Sequence, residues 1–223
     1  MRWPATLTLL LSLLPSVGSA APASFEVVYA EAQDRACAAT RGYEIKDEWI
    51  KELNAALPEF RALWGAQGAA MFDAAAALTH RQTEPFVAPV RLTLCDTPSQ
   101  SFSGPSVNMR FALRSFSASP VPLRYKVDTA FHESLHPFVG RYAPQDSPLL
   151  AAHRSEPACV LNHLHLLALQ KAVLLAVGET DALQQVIAID SQLPSGCYRR
   201  AWSLVNESEG TYQLYVAELV SRS

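Results

Sequence analysis

The sequence has no cluster of lysine or arginine. Its 18 basic residues are scattered among 21 acidic ones, giving a formal net charge of -3. Without a basic stripe there is no footprint for a phosphate backbone, so no nucleic-acid partner is expected. Glycine is scarce, nine in 223 residues, and no short period recurs, which excludes collagen-like, solenoid and propeller architectures. No G-x-S-x-G motif surrounds any serine, and Ser134 and Ser155 have no nucleophile context, so serine catalysis has no support. Only four cysteines are present, and none stand in a C-x-x-C knuckle, which argues against a thiolate metal site. What is present is 49% hydrophobic and 17% charged. That excludes a disordered chain, which cannot bury enough apolar surface to offset its entropy.

The first residues read as an export signal. Met1-Arg2 starts the chain with a positive charge, Leu7 to Leu14 form a short apolar core, and Pro15–Ala20 supplies a breaker and small residues for cleavage after Ala20. The apolar run falls far below the ~20 residues a bilayer span needs. No cysteine follows the cleavage point to carry a lipid. A secreted or periplasmic location is expected, with residues 1–20 removed and a single domain over 21–223, since no Gly/Ser-rich linker divides the remainder. In an oxidising compartment Cys37, Cys95, Cys159 and Cys197 imply two disulfides with three possible pairings. Cys37–Cys95 and Cys159–Cys197 is the preferred pairing, because each bond ties segments flanking a long loop.

From Ala30 to His80 the pattern is helical. Trp49, Leu53, Leu57, Phe60 and Trp64 recur at steps of three and four, one buried helix face. Pro58 is expected in the first turn of a second helix, where its missing N–H costs little. Over about 88–115 the period shortens to two: Val90, Leu92 and Leu94, then Val107, Met109, Phe111 and Leu113, alternate with less apolar residues. The Ser/Gly/Pro stretch 98–105 reads as the turn between two antiparallel strands, with a third near Phe25–Tyr29. Helices are expected again at about 129–141, 156–177, 180–190 and 198–220, the last broken near Gly210. Ala158–Val177 is apolar enough to resemble a membrane span, but Asn162, His163, His165, Gln170 and Lys171 interrupt it, so a buried core helix is expected and no span in the mature chain. The composite expectation is a mostly helical α+β domain with a small antiparallel sheet before the 128–177 helices.

One motif carries chemistry. In His132-Glu133-Ser134-Leu135-His136, two imidazoles four residues apart share a helix face, with Cβ atoms about 5–6 Å apart, and can converge on one zinc ion. Glu133 projects beside the ion, placed to take a proton from an activated water. A chance H-E-x-x-H is expected in about one such chain in a hundred. A catalytic tetrahedral site needs a third protein ligand. Glu156, twenty residues after His136, is expected to open the next helix, with Ser155 as N-cap and Pro157 in the first turn. His153 is the rival.

An H-E-x-x-H helix followed by a glutamate at this distance resembles the gluzincin class of zinc metallopeptidases, over about Val107 to Lys171. The resemblance implies a zincin-like fold, one zinc per chain held by His132, His136 and Glu156, Glu133 as general base, and a peptide or protein substrate. It also implies that the strand before the active helix binds extended substrate by backbone pairing, and that a Tyr or His stabilises the oxyanion. Tyr198 is the choice for that role over Tyr142 and Tyr212, being beside Cys197, Arg199 and Arg200. The sequence departs from the class at Val160, where an aspartate usually steadies a motif histidine, and at Pro137, expected to kink or end the helix directly after His136. The metzincin pattern is excluded, since Val139 and Tyr142 stand where it wants Gly and His. His163 sits on the face of Glu156, about 10 Å along the axis, too far to share its metal. It reads as a substrate-facing or supporting group, and His165 as structural. Asn206-Glu207-Ser208 is a glycosylation sequon, meaningful only in a eukaryotic secretory route. The expected function is an exported zinc-dependent metallohydrolase, a peptidase. The alternative is a secreted zinc-binding or partner-binding protein without turnover.

Overall fold

The structure, a computed structural model, describes residues 25–220. The expected export signal lies outside the described residues. Eight helices accompany a three-stranded sheet: β1 (Val27–Tyr29), α1 (Glu31–Thr40), α2 (Asp47–Thr79), β2 (Val90–Thr93), β3 (Ser106–Asn108), α3 (Leu123–Tyr142), α4 (Pro148–Ala152), α5 (Ala158–Ala176), α6 (Thr180–Asp190), α7 (Cys197–Val205) and α8 (Thr211–Leu219). The α+β, mostly helical character is as expected.

The sheet differs from expectation. Its order is β1-β2-β3 and both pairings are parallel, with Val28 opposite Arg91 and Leu92 opposite Val107. The expected antiparallel hairpin does not form. Leu94–Pro105, about the dozen residues a parallel return needs, carries the chain back instead of reversing it tightly. The strands are also shorter than the alternation implied. After Asn108 the chain turns into a 3-10 segment at Arg110–Ala112, leaving Phe111 exposed.

Two prolines behave unlike their sequence reading. Pro58 does not begin a new helix but lies inside α2, and Pro137 lies inside α3, which continues to Tyr142. Both prolines are exposed, so their rings do not crowd the core.

One cluster of buried side chains runs from Val27 to Leu219. α2 contributes Trp49, Leu53, Phe60, Trp64 and Met71, the face its spacing implied. α5 is the centre. It passes the length and hydropathy test for a membrane span, yet it is packed by α2, α3, α6, α7 and α8, as a core helix. Its polar residues His163, His165 and Gln170 therefore point at protein, while Asn162 is exposed, and that positions the site. Both preferred disulfides are present: Cys37–Cys95 ties α1 to the end of β2, and Cys159–Cys197 ties the first turn of α5 to the start of α7.

Candidate metal centre

α3 presents His132, Glu133 and His136 toward α5, and α5 presents His163 back. Ligand atoms of His132, His136 and His163 all lie within 4.8 Å of one another, among the described residues the group of this kind. Ring centroids are 5.0 Å apart for His132–His136, 5.4 Å for His132–His163 and 5.3 Å for His136–His163.

Hydrogen bonds fix the tautomers of two rings. His132 Nδ1 lies 3.1 Å from Gln170 Oε1, which can only accept, so Nδ1 carries the proton and Nε2 keeps its lone pair. His163 Nδ1 donates to the Cys159 carbonyl one turn earlier, at 2.6 Å. Its Nε2 is buried and has no partner. A buried acceptor without a donor is costly, and an imidazole nitrogen with its lone pair free is a metal ligand in waiting. Gln170 fills the supporting role for which Val160 offers nothing.

The electrostatics suit metal binding. Burial lowers the basicity of all three imidazoles: His132 falls well below the usual range and His136 to about 4, both pushed further by neighbouring histidines, while His163 falls by burial against the opposing effect of its bond to the Cys159 carbonyl. Neutral imidazoles offer lone pairs to a cation with no proton to displace. Glu133 is 4% exposed and accepts no hydrogen bond, so burial alone pushes its carboxyl up to about 8. Its Oε2 is 3.8 Å from His136 Nε2. A cation beside it favours the charged form and brings that value down.

Tyr198, at the start of α7, brings its hydroxyl to 3.3 Å from His132 Nε2. Burial first, then the Glu133 and Asp190 carboxylates, hold the phenol protonated, so it is a donor at neutral pH. Tyr142 is stacked among Phe86, Phe138 and Arg81, and Tyr212 against Lys171, away from the centre. Glu133, His136, His163 and Tyr198 line a cleft of about 540 Å³.

Glu156 is not brought into this group. Pro157 biases the residue before it toward extended backbone, so α5 begins only at Ala158, with Pro157 as its N-cap. The Glu156 carboxylate accepts from Arg200 instead, at 2.9 Å from Nε. The guanidinium holds it below the usual carboxylate range. His153 caps the end of α4 and also lies outside the group. His165 bonds Glu218 at 2.7 Å, in keeping with a structural role. His163, read from sequence only as a substrate-facing or supporting group, and Gln170, given no role, are therefore the site residues that the sequence reading did not place. A signal for them existed: they stand seven apart on one face of a largely apolar helix, where a core helix has little use for polar side chains.

No protein-family model, curated protein or solved structure matches the chain.

Proposed function

We propose that this protein is an exported metal-dependent hydrolase, a peptidase, whose ion is held by His132, His136 and His163. The observation that carries this reading is the partnerless, buried Nε2 of His163, facing two motif histidines beside a buried glutamate at the floor of a cleft. A site of three imidazoles suits zinc and related transition ions and not magnesium or calcium, which take oxygen. When bound, such an ion supplies Lewis acidity, which acidifies water and polarises a carbonyl. The chain supplies the rest. Glu133 takes a proton from the attacking water and delivers it to the leaving amine. The Tyr198 hydroxyl donates to the oxygen on which negative charge develops. Burial of Glu133 keeps its carboxylate free of competing donors. The two disulfides support the exported location, since such bonds persist where the medium is oxidising.

A second reading, a metal-binding protein without turnover, is favoured by one observation. The outer edge of β3, the strand expected to pair with extended substrate, is already paired with the chain's own Gln100.

Elemental analysis and peptide hydrolysis by single variants test the assignment. Glu133→Gln is expected to keep one ion per chain and to lose at least about 100-fold in kcat. His163→Ala is expected to lose the ion, whereas Glu156→Gln keeps it. An ion retained by His163→Ala and lost by Glu156→Gln overturns the ligand set. Full turnover by Glu133→Gln overturns the base.

A further inference from the structure

The cleft beside the metal centre has two unlike walls. One is apolar, formed by Val139, Gly140 and Ala143 at the end of α3 with Leu150 and Leu161. The other is the segment Pro98–Phe102, from the connection between β2 and β3. No lysine or arginine lines the cleft, and Glu133 is its one carboxylate.

The second wall is firmly held. Gln100 and Ser106 exchange both backbone hydrogen bonds, at 3.0 and 2.8 Å. The Asn108 N–H donates to Ser99 Oγ at 3.1 Å, and its side-chain amide donates to the carbonyls of Cys95 and Thr97. Gly104, at φ +91°, closes the turn. Since Gln100 directs both of its polar groups at β3, the alternation of an extended chain directs those of Ser99 the other way. Among the described residues, neither the Ser99 N–H nor its C=O has a partner. At the end of this pinned segment Phe102 lines the cleft while remaining 93% exposed. An aromatic ring standing in water on a pinned backbone segment gains burial when a ligand covers it, with only two side-chain torsions to order.

We propose that Phe102 is a specificity-determining residue and that the cleft takes the uncharged interior of an extended polypeptide, paired along Ser99 with an apolar side chain laid against Phe102. The chemistry follows from the walls. Neither wall carries a charge, so a charged side chain laid between Phe102 and the apolar wall would lose water without an opposite charge on either side, while a peptide backbone finds the free donor and acceptor of Ser99. The edge lost where Gln100 covers β3 is thus offered again one strand further out. That this ligand is also cleaved rests on the hydrolase reading; that it binds does not.

The test uses the mature chain and decapeptides with acetylated and amidated ends. One peptide carries a single Phe in an Ala/Ser background. A second replaces that Phe by Glu, and a third by Lys. KM and kcat are measured on the unaltered protein, and Kd by fluorescence anisotropy on Glu133→Gln. Phe102→Ala is expected to raise both KM and Kd for the Phe peptide about tenfold, with kcat within about twofold and metal content unaltered. Phe102→Leu is expected to recover most of the affinity. The Glu and Lys peptides are expected to bind at least about tenfold more weakly. Equal binding of all three peptides, no binding of any, or a Phe102→Ala variant with unaltered KM and Kd overturns the proposal. Binding that depends on Phe102 without any hydrolysis overturns the hydrolase reading and upholds this one.

Discussion

Asp190, behind Tyr198 and not itself lining the cleft, is a single side chain on which stability depends. Its carboxylate accepts from the Tyr125 hydroxyl at 2.8 Å and from Trp202 Nε1 at 2.9 Å, so three helices meet on it. Burial pushes it up to about 6, against those two bonds, with Asp128 raising it further and Lys126 lowering it. The folded value lies above the ordinary 3.8, so the protonated form is bound more tightly by the native state. Its contribution to stability is present below about pH 3.8 and is lost as pH rises through about 6. Urea titrations from pH 4 to 7 are expected to show the native protein losing about 2–3 kcal/mol relative to its pH trend in Asp190→Asn. Parallel trends in the two proteins would show that Asp190 does not titrate in this range.

The histidine trio belongs to the same scale. His132, Glu133 and His136 are legible in sequence because a helix converts a four-residue step into proximity. His163 and Gln170 are not, because their proximity depends on how α5 crosses α3, which no local pattern encodes. Glu156 shows the opposite case, a correct spacing overruled by Pro157, whose ring keeps the preceding residue out of the helix.

Among the elements, the two disulfides do different work. Cys159 lends its carbonyl to His163, and Cys197 immediately precedes Tyr198, whose ring centroid lies 4.6 Å from that of His163. Replacing both Cys159 and Cys197 by serine is therefore expected to cost about 2–4 kcal/mol of stability and to weaken metal binding at least about tenfold. Replacing Cys37 and Cys95 is expected to cost a similar stability and leave metal affinity unaltered. Denaturant titration with competitive metal chelation separates the two outcomes, and equal affinity losses from both pairs would contradict the assignment.

Helix boundaries from α5 to α8 follow the sequence closely, because their apolar faces are periodic, whereas α3 begins at Leu123, six residues before the expected start, and the short α4 is not expected at all. The prolines mislead, because sequence records the lost N–H but not that each ring lies on an exposed face of a long, otherwise well-packed helix. The sheet misleads more. Period two identifies a half-buried strand and carries no information on its partner's direction, and the turn-rich stretch 98–105 served a parallel return as well as it would have served a hairpin.

At the scale of the whole molecule, the three-histidine cluster that could hold an ion joins α3 to α5, two helices packed at the middle of the core. An ion that binds only the folded chain shifts unfolding by mass action. With free ion at about 100 times its Kd, chelation is expected to lower Tm by about 5–10 °C in the unaltered protein and in Glu156→Gln. His163→Ala is expected to show no such drop. A Tm indifferent to chelation in the unaltered protein would remove the ion from any structural account of the fold.

The bond between Cys159 and Cys197 also ties the candidate site to the state of two thiols. A histidine ligand and a phenolic donor from distant stretches of sequence are drawn together by one covalent link that forms only where thiols are oxidised. A chain whose two thiols are reduced lacks that link, so the helices that carry His163 and Tyr198 are held together by packing alone, and a reductant is expected to loosen the candidate site as the double serine replacement does.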